Sequence, residues 1–204
     1  MPIADRHYYL NLLHLAAAVI ITSLFAITII LLCVLLTPHF PSFEVTALTV
    51  SSMPINTTVQ QKQTVTFNFQ GLLENPNALL AVWYKKLHFV LWFNNSSIAS
   101  LPLEPPRLSN KVQTNIPFQV KFAVVTEKFP SGVLREIAAQ RRAHGSVNFG
   151  ITLRAWIKFK FSGVGLKPRF LSLKCYPLQV AFSPEYSDKN DTGMLVAPSH
   201  CFAD

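Results

Sequence analysis

From Leu15 to Leu36 the chain runs 22 residues without a charge, and only Thr22, Ser23, Thr28 and Cys33 interrupt its apolar character. At 1.5 Å per residue such a run makes roughly 33 Å of helix, enough to cross a hydrocarbon core of about 30 Å. A helix buried in a soluble core rarely stays apolar on every side for so long, so the run is read as a membrane span. Asn11 and His14 near its start can reach headgroups, and Tyr8 and Tyr9 suit an interfacial aromatic belt. Thr37-Pro38 and Pro41 stop the helix. A cleaved signal peptide would have a shorter apolar region ending in a small-x-small site. Val34-Leu35-Leu36-Thr37-Pro38 offers none, and Leu32 is too bulky for a lipoprotein-type site before Cys33. The expectation is an uncleaved signal anchor over residues 10–37.

Composition bounds the rest. Of 204 residues, 50% are hydrophobic and only 14% charged, against about 25% charged in ordinary soluble domains. That excludes a disordered chain, and three cysteines exclude a disulfide-dense miniprotein. The length allows the anchor and one domain. Arg6 and the α-amino group precede the span, whereas the first base after it is Lys62. The positive-inside rule therefore places residues 1–9 in the cytosol and the C-terminal domain outside. Sequons at Asn56, Asn94, Asn95 and Asn190 all follow the span, which agrees with that orientation.

Beyond the anchor, apolar residues recur with period two, the pattern of strands with one buried face. Val112, Ile116, Phe118, Val120, Phe122 and Val124 alternate with polar residues. So do Val65, Phe67 and Phe69; Leu87, Phe89, Leu91 and Phe93; and Ile151, Leu153, Ala155, Ile157, Phe159 and Phe161. Leu171, Leu173 and Cys175 continue as Leu178, Val180 and Phe182 after a phase shift at Pro177, and Val45–Val50 reads as a further strand. Asn75-Pro76-Asn77, Asn94-Asn95, Pro105-Pro106 and Ser162-Gly163 supply turns. Six or seven antiparallel strands with one apolar face each must pair those faces, which predicts a mainly β domain, a β-sandwich, over residues 38–183. One helix breaks the rhythm: Ser131 is placed to cap it, Leu134, Ile137 and Ala138 share a side, Arg141, Arg142 and His144 suit its C-terminal dipole, and Gly145 ends it. Residues 184–204 read as a polar, loose tail that Cys201 can pin.

Chemistry-bearing constellations are sparse. His39, His88, His144 and His200 lack metal-ligand spacing, no Gly-x-Ser-x-Gly elbow occurs, and the acids beyond the span stand singly. No enzyme activity, metal or cofactor is expected. Cys175 and Cys201 would both be extracytosolic, where a disulfide closing about 26 residues stabilises by roughly 3 kcal/mol. The alternative is two free thiols, with Cys175 buried as a small hydrophobe. Along the strand after Gly150, Arg154, Trp156, Lys158 and Lys160 share the polar face, followed by Lys167, Arg169 and Lys174. Such a stripe is often only the solvated side of a sheet. Its functional reading is a surface for an anionic partner, lipid headgroups or an acidic cell-wall polymer. A domain outside the cytosol has no nucleic acid to meet.

The order of features has a precedent. A span, then a strand ending in Asn75-Pro76-Asn77, a short helix, an alternating basic-aromatic strand to Phe161, the run Leu171-Ser172-Leu173-Lys174-Cys175-Tyr176-Pro177-Leu178-Gln179-Val180 and a late Cys201 resemble the plant NDR/HIN-like (harpin-induced) proteins. Their outer part is a late embryogenesis abundant group-two, or WHy, domain. The resemblance covers roughly residues 10–203. It implies an Ig/fibronectin-like sandwich of seven strands with one helix, a single pass through the plasma membrane, and a role in defence or abiotic stress. The leading expectation is that the sandwich presents its surfaces to another membrane protein or to the wall, and the alternative is a lipid-binding or membrane-protective domain near the bilayer surface. The resemblance implies no catalytic residues. Many relatives carry a long basic cytosolic tail, which this chain replaces with nine residues.

Overall fold

The computed structural model describes residues 3–53, 63–103, 109–110, 115–182 and 192–203. They form two compact units, Met1–Pro38 and His39–Asp204.

The first unit is one helix, α1 (Ile3–Leu35). Its stretch Leu12–Leu35 is long and apolar enough to cross a membrane, and none of it is buried within the protein. The hydroxyls inside the apolar run are all turned back on the helix. Thr22 donates to the carbonyl of Ala18 at 2.9 Å, Ser23 to that of Val19 at 2.7 Å and Thr28 to that of Leu24 at 2.8 Å. Hydroxyls bonded back to the helix leave no donor of their own in need of a partner in lipid.

The second unit is mainly β and antiparallel. Its strands are β1 (Ser42–Ser51), β2 (Thr64–Glu74), β3 (Ala81–Phe93), β4 (Ser96–Leu103), β5 (Ser109–Asn110), β6 (Asn115–Val125), β7 (Ser146–Phe161), β8 (Val164–Gly165), β9 (Arg169–Phe182), β10 (Thr192–Leu195) and β11 (Ser199–Ala203). Hydrogen bonding runs continuously in the order β4-β3-β7-β9-β10-β1-β2-β6, while β11 also joins β9 to β1, β5 pairs with β3 and β8 with β7. The long strands coincide with the period-two runs of the sequence because alternate residues face one core. Val65, Phe67, Phe69 and Leu73 of β2 and Phe89 and Leu91 of β3 are all buried. The rings meet across the unit: Phe69 lies 5.0 Å from Phe89, Phe67 5.8 Å from Phe149 and Phe89 5.9 Å from Phe122. The β2–β6 part of the sheet is thereby packed against the β3–β7 part.

Two expectations are corrected. Residues 184–204 are not simply a loose tail: β10 and β11 lie within them and connect β9 to β1. Their polar sequence misled because such short strands are held by ladder bonds and bury few side chains; Gly193 and Cys201 are the buried ones. The helix α2 (Val133–His144) is capped at its start by Gly132, with no side-chain cap bond from Ser131. Its end does follow the sequence, since Gly145 takes the left-handed conformation at φ 65° and donates to the carbonyl of Arg141 at 2.8 Å. Arg141 lies in the last turn, as the sequence suggests, together with Arg142 and His144. It is buried, with Nη1 donating to the carbonyl of Met53 at 3.0 Å and the guanidinium 4.3 Å from the Phe182 ring centre. Its i+4 relation to Ile137 places it on the buried face of the helix.

Candidate interaction surface

The alternation that buries Val82, Tyr84, Leu87, Phe89 and Leu91 necessarily turns Trp83, Lys85 and Trp92 to the other side of β3. Cross-strand register then sets these residues beside the polar face of β7. Trp83 lies opposite Lys158, Lys85 opposite Trp156 and His88 opposite Arg154. On the other flank β9 brings Phe170 opposite Trp156, Ser172 opposite Arg154 and Lys174 opposite Thr152. Arg154, Trp156, Lys158 and Lys160 are thus the middle of a wider surface that carries all three tryptophans of the protein. From Lys160 to Gly150 along β7 this surface is roughly 33 Å long, at about 3.3 Å per residue.

Its side chains are organised by cation–aromatic contact. The ammonium of Lys160 sits 3.5 Å from the centre of the Trp83 ring, and that of Lys174 sits 4.9 Å from Trp92. Trp156 meets Phe170 edge-on at 5.6 Å, and Trp92 stacks on Tyr176 at 5.0 Å. Gly150 makes the second stack feasible, because a Cβ there would overlap the Trp92 ring. The indole N–H of Trp92 donates to the hydroxyl of Thr152 at 3.2 Å. Strands β3, β4, β7, β9 and β11 contain seven lysines and arginines and no aspartate or glutamate. The glutamates in described strands, Glu44 and Glu74, belong to β1 and β2. Segregation on that scale gives one face a positive potential, and cations held over indole rings need no carboxylate to stay fixed.

Cys175 and Cys201 form a disulfide with Cα atoms 4.3 Å apart, joining β9 to β11. Both cysteines are buried. Cys33, in α1, is free and exposed. Asn94 and Asn95 form the exposed turn between β3 and β4, where the Asn94 amide donates to Glu136 at 3.1 Å. Asn56 and Asn190 lie outside the described residues. Among the described residues no three His, Cys, Asp or Glu side chains converge as metal ligands would.

Asn75-Pro76-Asn77 makes a clamp that the sequence only half suggests. As a turn element it behaves as Asn-Pro-Asn chemistry dictates: the Asn75 side-chain oxygen accepts from the Asn77 backbone N–H at 3.1 Å, and its amide donates to the Leu80 carbonyl at 2.8 Å. The Asn77 side chain also grips a distant segment. Its oxygen accepts from the His39 N–H at 2.7 Å while its amide donates to the His39 carbonyl at 2.8 Å. A side-chain amide thereby acts as one rung of a β-ladder for the residues that enter β1. Nothing local in the sequence marks a contact across 38 residues. Tyr84, beneath the cation–aromatic surface, is buried, and desolvation pushes its phenol well above the usual value of 10.0.

No family model, curated protein or solved structure matches this chain.

Proposed function

We propose that this chain is a membrane-anchored, non-enzymatic interaction protein of the plant NDR/HIN-like type, with α1 as a single-pass signal anchor and a WHy sandwich outside the cell. In that reading it serves defence or abiotic-stress responses at the plasma membrane by engaging an acidic partner, a wall polymer or another membrane protein. The observation that carries the reading is the acid-free face of β3, β7 and β9, where every tryptophan of the protein lies among Lys85, Arg154, Lys158, Lys160 and Lys174. Polyanions are drawn to such a face by long-range attraction that salt screens over about 8–10 Å. Exposed indoles add contacts that salt leaves intact. No reacting group is required of the protein for this task.

The test has two arms on the full chain. Tagged at its C-terminus in plant cells, the protein should lose the tag when intact protoplasts meet protease and should shift in mass on deglycosylation. In detergent it should be retained by immobilised polygalacturonate and released by salt, whereas R154E/K158E/K160E should pass through. A protected tag would refute the outer placement, and equal retention of the triple variant would refute the role of the face.

A further inference from the structure

Ser162-Gly163 join β7 to β8, where Lys160 faces Gly165 and Phe161 faces Val164. This hairpin sends large apolar side chains into solvent. Val164 is 68% exposed, Leu166 39% and Phe161 37%, and the neighbouring Phe170 is 51% exposed. Single exposed apolar residues are ordinary, but several on one short projection mark a contact surface. Bases surround the tip. Lys158 and Lys160 precede it, Lys167 and Arg169 follow it, and the stem of Lys158 lies across Gly165, where a Cβ would overlap it. Between Ile137 and Pro184 the chain has no aspartate or glutamate at all.

We infer that the β7–β8 hairpin is a peripheral bilayer contact: Phe161, Val164 and Leu166 enter the headgroup region while Lys158, Lys160, Lys167 and Arg169 engage lipid phosphates. An apolar tip in a basic collar is the composition that interfacial membrane segments use, with lysine stems lying in the apolar layer and their amines at the phosphates. Anionic lipid strengthens the contact through the collar. A sugar polyanion would satisfy the bases but has no use for Val164 and Leu166, which is why a bilayer is the better occupant. The chain also supplies that occupant itself, because only Leu36–Pro41 separate α1 from β1, and a tethered surface acts at high effective concentration. The inference rests on α1 spanning a membrane and does not depend on what binds the rest of the face.

The protein contains its own probe. All three tryptophans lie in the β unit and none in α1, so lipid quenching of tryptophan reports the β unit alone. The full chain would be reconstituted in phosphatidylcholine vesicles, with and without phosphatidylglycerol, carrying brominated acyl chains. Quenching should appear, be stronger with phosphatidylglycerol, and be mostly lost in V164D/L166D. The milder V164T/L166Q, whose exposed positions leave the core untouched, should lose part of it and serves if the first variant misfolds. A chain that stays in the vesicles through alkaline carbonate yet shows no quenching, or quenching that both variants retain, would overturn the hairpin contact. Absence of lipid quenching together with a spectral shift on adding polygalacturonate would give the face to a soluble polymer and overturn it too. Release by carbonate would overturn the span, and the hairpin contact with it.

Discussion

Replacing Asn77 by alanine removes both bonds to the His39 backbone and the 2.7 Å bond from the Asn77 amide to the Asn75 side-chain oxygen. A hydrogen bond contributes about 0.5–1.5 kcal/mol net, and a stranded buried partner costs about 1–3 kcal/mol. His39 is only partly buried, so water can recover part of that loss, and the Asn75 oxygen keeps its bond from the Asn77 backbone N–H, so the cost is chiefly that of the three lost bonds. The sum is about 2–4 kcal/mol, a large part of the 5–15 kcal/mol that typically holds a domain. Urea unfolding of the full chain in detergent micelles, followed by tryptophan emission, reads the β unit alone. With a slope of about 2 kcal/mol/M, the N77A midpoint should fall by about 1–2 M. N77D tests the geometry more sharply. Its carboxylate still accepts from the His39 N–H but sets oxygen against the His39 carbonyl and the Asn75 oxygen, so it should destabilise at least as much as alanine. Coincident curves for N77A and wild type would refute the clamp, and an N77D variant as stable as wild type would refute the assigned orientation of the amide.

The Cys175–Cys201 bridge closes a separation of 26 residues, for which chain entropy gives about 3–4 kcal/mol. C201S should lose that amount in the same urea assay, reductant should lower wild type to the same level, and the variant should not respond to reductant. Burial raises the Tyr84 phenol above its usual 10.0, so above pH 10 the unfolded chain releases this proton before the folded one does. Stability should then fall as pH rises, by up to about 1.4 kcal/mol per pH unit from this group, and Y84F should flatten that decline in alkaline unfolding curves.

The strands were legible wherever one face had to be apolar. Phe67 and Phe69, or Leu153 and Ile157, announce their side of the sheet by spacing alone. The candidate surface was legible along β7 and in Lys174 of β9. Arg154, Trp156, Lys158 and Lys160 share one strand, whereas Trp83 and Lys85 join them through register, and pairing between strands about 70 residues apart leaves no mark in local periodicity. One signal was present: once Val82 and Tyr84 are assigned inward, Trp83 and Lys85 must face outward. The phase change after Lys85 obscured the continuation to Trp92, because the backbone there departs from the simple pleat, with Lys86 at φ 49° and the register shifting before His88. Arg141 was half legible: its charge placed it in the last turn of the helix, where it lies, while its position relative to Ile137 also sets it on the buried face. The Asn77 grip on His39 was hidden for another reason. A side chain standing in for a strand uses no apolar residue, and hydrophobic patterning is blind to it.

Strand β1 has β2 on one edge and both β10 and β11 on the other. It is among the first parts of the β unit to be synthesised, and its second edge is completed by nearly the last. From residue 51 to residue 192 a ribosome working at about 5–20 residues per second needs roughly 7–28 s. Throughout that interval the nascent chain holds a strand with one unsatisfied edge and an apolar face that includes Phe43 and Val45, conditions that invite pairing with foreign strands. Assembly cannot be completed progressively from the N-terminus. It must wait for a zippering step in which residues 192–203 slot between β9 and the much earlier β1. Such long-range closure slows folding, and it makes the interval before β10 and β11 are synthesised the one in which a chaperone would have the most to protect.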